Sequence, residues 1–137
     1  MLSVLPASNV HYASILSGYL KMMDALRAYQ TPDGMWRQLV DNDADWKETS
    51  CTAMFGYAIA LGTGKGLLPR PDFEPVIQKA WLALTEYIDE EGRLTEVCAG
   101  TGQKDDVAFY LARPRVTGDL HGQAGLLWFV HALLSFS

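Results

Sequence analysis

The sequence predicts an all-α fold of stacked helical hairpins, and three observations carry that prediction. Apolar residues recur at helical spacing over four segments of the chain. The segments alternate between amphipathic helices and helices that are apolar on every face. The whole pattern then repeats at an offset of 58 residues, marked by Asp33-Gly34 and again by Glu91-Gly92.

The first segment begins at Ser8 or Asn9, either of which is a suitable N-cap, and runs to about Gln30. Ile15, Leu16, Tyr19, Leu20, Met23 and Leu26 form its stripe, and Thr31-Pro-Asp-Gly34 stops it. The second begins near Glu48-Thr49-Ser50 and reaches Gly64 without a single charged side chain from Thr49 onward. A helix with no polar face has to be surrounded by protein. The third, Asp72 to Ile88, is amphipathic again, with Phe73, Ile77, Ala80, Trp81, Leu84 and Ile88 on one side. The fourth starts between Asp119 and Gly122 and is apolar all round to the C-terminus. Trp81, Trp128 and the mid-helix His131 are expected in the core. A short β-like run follows each turn, at 36–40 and 94–97.

The length and balance fit one globular domain, 1–137: 137 residues, 49% hydrophobic and 20% charged. A net charge of −5 argues against a nucleic-acid binder, which would show a basic stripe. Two cysteines, Cys51 and Cys98, are too few for a disulfide framework and are expected to be reduced or buried. The N-terminus lacks the basic n-region of a signal peptide, so a cytoplasmic location is expected. Leu120–Ser137 carries no Asp, Glu, Lys or Arg, but His121, Gln123 and His131 interrupt it and no basic residue flanks its end. It reads as a buried helix and not as a membrane span.

Two hairpins cannot enclose two helices that are apolar on every side. Either the chain oligomerises or it is an arc of a larger closed array.

Five motifs in chain order give that array a form. They are Thr31-Pro-Asp-Gly-Met-Trp-Arg-Gln-Leu-Val-Asp41, Trp46-Lys-Glu-Thr-Ser-Cys-Thr-Ala-Met-Phe-Gly-Tyr-Ala58, Val97-Cys-Ala-Gly-Thr-Gly-Gln103, Tyr110-Leu-Ala-Arg-Pro-Arg115 and Thr117-Gly-Asp-Leu-His-Gly-Gln-Ala124. Together the series resembles the unsaturated rhamnogalacturonyl and glucuronyl hydrolases, glycoside hydrolase families 105 and 88, and sits nearer the rhamnogalacturonyl branch. The resemblance implies an (α/α)6 barrel of six hairpins, of which 1–137 would be the C-terminal part and the N-terminal part would be missing. The implied reaction is hydration of the C4=C5 double bond of a terminal unsaturated uronic acid, with no cofactor and no metal. The family's catalytic Asp and its Trp-Ala-Arg-Gly-Asn-Gly-Trp motif belong to earlier parts of the barrel. No catalytic residue is therefore assigned within 1–137, and the chain by itself is expected to be inactive.

Polar clusters precede both all-apolar helices, at Asp41–Ser50 and Arg113–Gln123. Helix N-termini favour anionic groups such as a uronate, so Trp36, Glu48, Ser50, Arg113 and His121 are placed at or behind a sugar-facing rim. A Trp can stack on a sugar, and an Arg can pair with a carboxylate. Simpler roles stand beside these. Glu48-Thr49-Ser50 reads first as capping chemistry, Trp36 reads equally as a core anchor, and His121 can bond a loop carbonyl.

Asp105-Asp106 reads as solvated turn residues. Gly62-Thr-Gly-Lys-Gly66 reads as a helix C-cap and not a phosphate loop. The Ala99–Asp119 connection is unusually long to be structureless. The expected partners are an unsaturated uronyl oligosaccharide and either a second copy or the N-terminal half of the barrel. The competing class is a non-catalytic helical binding or assembly module. An upstream reading frame encoding Trp-Ala-Arg-Gly-Asn-Gly-Trp would favour the hydrolase.

Overall fold

The computed structural model describes Leu2 and residues 4–135. Four long helices form two hairpins: α1 (Tyr12–Tyr29) with α2 (Thr49–Gly64), and α3 (Arg70–Thr85) with α5 (Leu120–Leu134). A one-turn helix α4 (Val107–Leu111) and a two-residue antiparallel pair, β1 (Val97–Cys98) with β2 (Arg115–Val116), lie between α3 and α5. The long connection thus has structure of its own. Asp106 caps α4 by accepting from the Ala108 N–H at 2.9 Å, a turn role that also accounts for one of the paired aspartates. The β-like run at 36–40 amounts to one bridge, Arg37 with Lys47.

The boundaries shift for identifiable reasons. Asn9 is spent on the His11 N–H in a turn before α1, so the helix starts at Tyr12 and not at Ser8 or Asn9. Pro71 sits in the first turn of α3, where a missing N–H costs nothing, and the helix begins at Arg70 instead of Asp72. The α2 helix ends as the C-cap reading requires. Gly66 takes φ +71°, Leu67 N–H donates to Gly62 O and Gly66 N–H to Thr63 O.

The repeat is a repeat of backbone geometry. Gly34 and Gly92 both take the left-handed conformation, at φ +99° and +76°. Thr31 N–H donates to Met35 O at 2.9 Å, and 58 residues later Asp89 N–H donates to Arg93 O at 3.0 Å. Trp36 and Leu94, the next equivalent pair, are both fully buried. Each presents its N–H to the fourth residue of its following helix, to Thr52 Oγ1 and to Gln123 Oε1. The longer second connection moves the inner helices to an offset of 71 residues, pairing Thr49 with Leu120 and the N-caps Glu48 with Asp119.

Helices α2 and α5 pack side by side and parallel, because Gly125 faces Ser50, Ala53 and Met54 while Gly56, further along, faces Phe129. They are the inner layer. α3 lies across α2 and reaches α5 through Trp81, edge-on to Phe129 at 6.0 Å. α1 lies outside α2, tied by the Tyr19 hydroxyl to Ala58 O at 2.8 Å. The core is continuous through Met23, Trp36, Ile59, Phe73, Ile77, Leu84 and Phe129.

Two core expectations are corrected. Trp128 is 54% exposed, and His131 is exposed as well. Trp128 meets α2 at its edge, its ring 5.9 Å from that of Tyr57, and His131 borders a cleft with Tyr57 and Leu61, so an all-apolar helix stands half covered. Trp81 is half-buried. No helix among the described residues is long and apolar enough to cross a membrane.

Candidate functional site

Parallel inner helices bring the N-termini of α2 and α5 to one end of the molecule, beneath the segments 31–48 and 89–119. Glu48 sits at the centre of this end with 2% exposure. Its Oε1 accepts from Ser50 N (3.0 Å) and Cys98 N (2.9 Å), and its Oε2 from Cys51 N (2.5 Å) and Ser50 Oγ (2.9 Å). One carboxylate therefore caps α2 and also clamps the second hairpin, through the N–H of Cys98, onto the first. Thr49 strengthens the clamp, donating its hydroxyl to Thr95 O at 2.7 Å.

The structure gathers Trp36, Glu48 and Ser50 into one buried cluster. Trp36 has no exposed surface. Its indole N–H donates to Leu26 O at 2.8 Å, and its carbonyl accepts from Glu48 N–H at 2.9 Å. Ser50 is 6% exposed and engaged with Glu48. These three stand behind the rim and hold it. The first N–H groups of α2, the expected anion seat, are already filled by Glu48 itself. The same environment pushes the Cys51 thiol well up, through burial first and then the neighbouring Glu48 charge. Cys51 and Cys98 are both free thiols.

Arg113 and His121 lie nearer the solvent. Arg113 is half-buried, donates to Ala99 O and Gly100 O, and places its guanidinium 5.1 Å from the Phe109 ring. Its Nε has no acceptor among the described residues, and neither has the indole nitrogen of Trp46. His121 is 42% exposed at its side chain, and its Nδ1 lies 2.6 Å from Asp119 Oδ1. Asp119 is the N-cap of α5, and the His121 backbone N–H, then its ring, hold its carboxyl below the usual carboxylate range.

One grouping was not read from the sequence. Arg115 stacks 5.3 Å above Trp46 and pairs with Glu96 at 2.7 Å, a cation–aromatic surface beside the rim. The one available signal was an aromatic residue inside the polar run Asp41–Ser50.

The two carboxylates that cap the inner helices are committed to those caps. Glu48 accepts four donors and is sealed from solvent. Asp119 is held in its anionic form. Neither is placed as a general acid. No three His, Cys, Asp or Glu side chains among the described residues converge as a metal site. An apolar cleft of about 360 Å³ lies towards the other end of α2 and is lined by Ile15, Tyr19, Met22, Tyr57, Ala58 and Leu61. It offers little to a sugar.

The profile of Glycosyl Hydrolase Family 88 matches residues 1–136. The chain belongs to that family. An unsaturated rhamnogalacturonyl hydrolase of Bacillus subtilis, YesR, is 30% identical over 139 aligned residues, covering 98% of this chain and 38% of that protein. An unsaturated 3S-rhamnoglycuronyl hydrolase of Formosa agariphila is 31% identical over 96 residues, covering 69% of this chain and 26% of that protein. A crystal structure described as a possible GH105 member from Salmonella enterica superposes with a TM-score of 0.87 at 29% identity, over 95% of this chain and 34% of that one. This family 88 chain thus spans roughly a quarter to two-fifths of the length of these three relatives. Its two hairpins correspond to part of the (α/α)6 barrel of the GH105 and GH88 structures.

Proposed function

We propose that this family 88 chain serves hydrolysis of unsaturated uronyl oligosaccharides of the rhamnogalacturonan type, as the C-terminal part of a six-hairpin barrel. The observation that carries the reading is the family match across 1–136, joined to relatives named for unsaturated rhamnogalacturonyl and rhamnoglycuronyl substrates. In the reaction, a carboxylic acid protonates C4 of the unsaturated uronic acid and water adds at C5. The hemiketal so formed opens and releases the sugar. One carboxyl group can act first as acid and then as base. The family resemblance puts that group in another part of the barrel, and Glu48 and Asp119 of this chain are both committed as caps. This chain contributes Arg113 and His121 at the rim, and Trp36, Glu48 and Ser50 behind it. An Arg can hold the uronate carboxylate, and the stacked Trp46–Arg115 surface suits a sugar ring.

The test is a chimera in which this chain replaces the matching segment of the Bacillus subtilis rhamnogalacturonyl relative. The chimera should consume the ultraviolet absorbance of an unsaturated rhamnogalacturonyl disaccharide, and the isolated chain should not. A folded chimera with no turnover would overturn the assignment. The uncovered apolar edges favour a second reading, an assembly module without catalysis, and such a chimera would leave that reading standing.

A further inference from the structure

Two features that work against stability meet at one patch of the rim. Glu96 stands at φ +56°, in the left-handed region, and among the described residues no other non-glycine has a positive φ. A side chain there is strained, and such strain persists only where the surrounding contacts fix it. Beside it, the Trp46 indole N–H is shut from solvent with no acceptor among the described residues. The clamp between the hairpins does not require a side chain at 96. The Thr95 carbonyl takes the Thr49 hydroxyl and the Glu96 carbonyl takes the Thr49 N–H at 3.5 Å. A glycine at 96 would make the same backbone bond without strain.

What the Glu96 side chain itself makes is the 2.7 Å ion pair with Arg115. Arg115 lies opposite Cys98 in the β1–β2 pair, and its guanidinium rests 5.3 Å from the Trp46 ring. The two paired side chains are 39% and 50% exposed, and an ion pair so open to water adds little to folding. Its effect is on the guanidinium: the carboxylate fixes it over the ring and cancels its charge. Arg113, on the other side of Pro114, differs. It bonds carbonyls and an aromatic ring, with no carboxylate partner among the described residues. The rim therefore holds one compensated arginine on an indole and one uncompensated arginine beside it.

We infer that Glu96 is the positioning residue of a stacking platform. It holds Arg115 over Trp46 and neutralises it, so that guanidinium and indole together take a neutral sugar ring of the oligosaccharide, while Arg113 is left for an acidic one. The left-handed turn at 96 aims the carboxylate from the start of β1 at Arg115, which is why a strained glutamate stands where glycine would relax the backbone. The inference rests on the saccharide reading for its ligand. The hold on Arg115 is measurable without any sugar.

The test combines proton magnetic resonance of the Arg115 side chain, denaturant unfolding, and titration with an unsaturated rhamnogalacturonyl disaccharide. In the wild type the Arg115 side-chain protons should carry the upfield shift of a group held over an aromatic ring. Glu96→Gly should lose that shift and weaken disaccharide binding about threefold to fivefold, while its unfolding stability is unchanged or raised. Glu96→Gln, an acceptor of the same reach, should restore most of the shift and the affinity. In an Arg115→Gln background, Glu96→Gly should cause no further loss of affinity, because Glu96 acts through Arg115. An Arg115 shift unmoved by Glu96→Gly, a loss of stability without loss of affinity, or fully additive losses in the double variant would each overturn the inference. A wild type that binds no disaccharide at the rim would overturn the sugar platform and count against the hydrolase reading. An Arg115 shift lost in Glu96→Gly would still uphold the positioning. Should Glu96→Gly fail to fold, Glu96→Asn, which tolerates the left-handed region, takes its place.

Discussion

Replacing Glu48 by Gln keeps its shape and removes one acceptor from a buried site that has four donors. In the better amide orientation the remaining oxygen keeps Ser50 N–H and Cys98 N–H. The new NH₂ then faces the Cys51 N–H, now 2.5 Å from Oε2, and only the Ser50 hydroxyl can turn to accept it. One backbone donor is left unpaired in a site with 2% exposure. An orphaned buried donor costs about 1–3 kcal/mol, and charge assistance is lost on the bonds that remain. The expected destabilisation is about 2–4 kcal/mol, a large share of the roughly 5–15 kcal/mol typical of a domain. Glu48→Ala should exceed it. The assay is denaturant unfolding, with amide exchange at Cys98 as a local readout. A Glu48→Gln variant within about 0.5 kcal/mol of wild type, with Cys98 still protected, would refute the clamp. It would also return Glu48 to the list of substrate contacts.

Other outcomes follow from the same packing. Gly56→Ala places a Cβ 2.5 Å from the Phe129 ring edge, so unfolding should show a loss of about 1–3 kcal/mol, much of it relieved in a Phe129→Leu background. Tyr19, its phenol pushed up to about 12 by burial, should titrate late in alkaline difference absorbance. The stability it contributes is complete below the ordinary tyrosine range and lost as pH rises through about 12; an ordinary titration would contradict its burial against Ala58. Asp119, held low by the His121 N–H and ring, contributes stability that is present above the unfolded carboxyl value and lost as pH falls through the folded one. Asp119→Asn should therefore flatten part of the acid limb, measured by urea unfolding between pH 7 and about 3.

The repeat was legible because it rests on local demands that a sequence cannot hide. Gly34 and Gly92 mark left-handed turns, and Trp36 and Leu94 are the apolar residues those turns deliver inward. The all-apolar character of α2 and α5 was equally plain. What covers each flank was not, because an apolar face reads the same whether a neighbour is present or absent, and Trp128 and His131 stand exposed for that reason. The role of Glu48 was half legible. Its capping of Ser50 and Cys51 is local, whereas its bond to Cys98 spans 50 residues and depends on two hairpins docking in register. The α4 turn and the β1–β2 pair sit in a polar stretch too short in each element to show a period. Trp46 and Arg115, 69 residues apart, meet only once the second hairpin has packed against the first.

The division of labour proposed for the rim gives this chain a recognition surface and no proton donor. The most direct measurement follows backbone amide shifts of the pure chain on addition of an unsaturated rhamnogalacturonyl disaccharide, while the uronyl absorbance is recorded in parallel. The expected result is shifts confined to the rim, at Trp46, Arg113, Arg115 and His121, with the absorbance unchanged. Loss of absorbance would mean that a carboxyl of this chain donates the proton, and shifts confined to the Tyr19–Leu61 cleft would place the sugar at the wrong end of the helices.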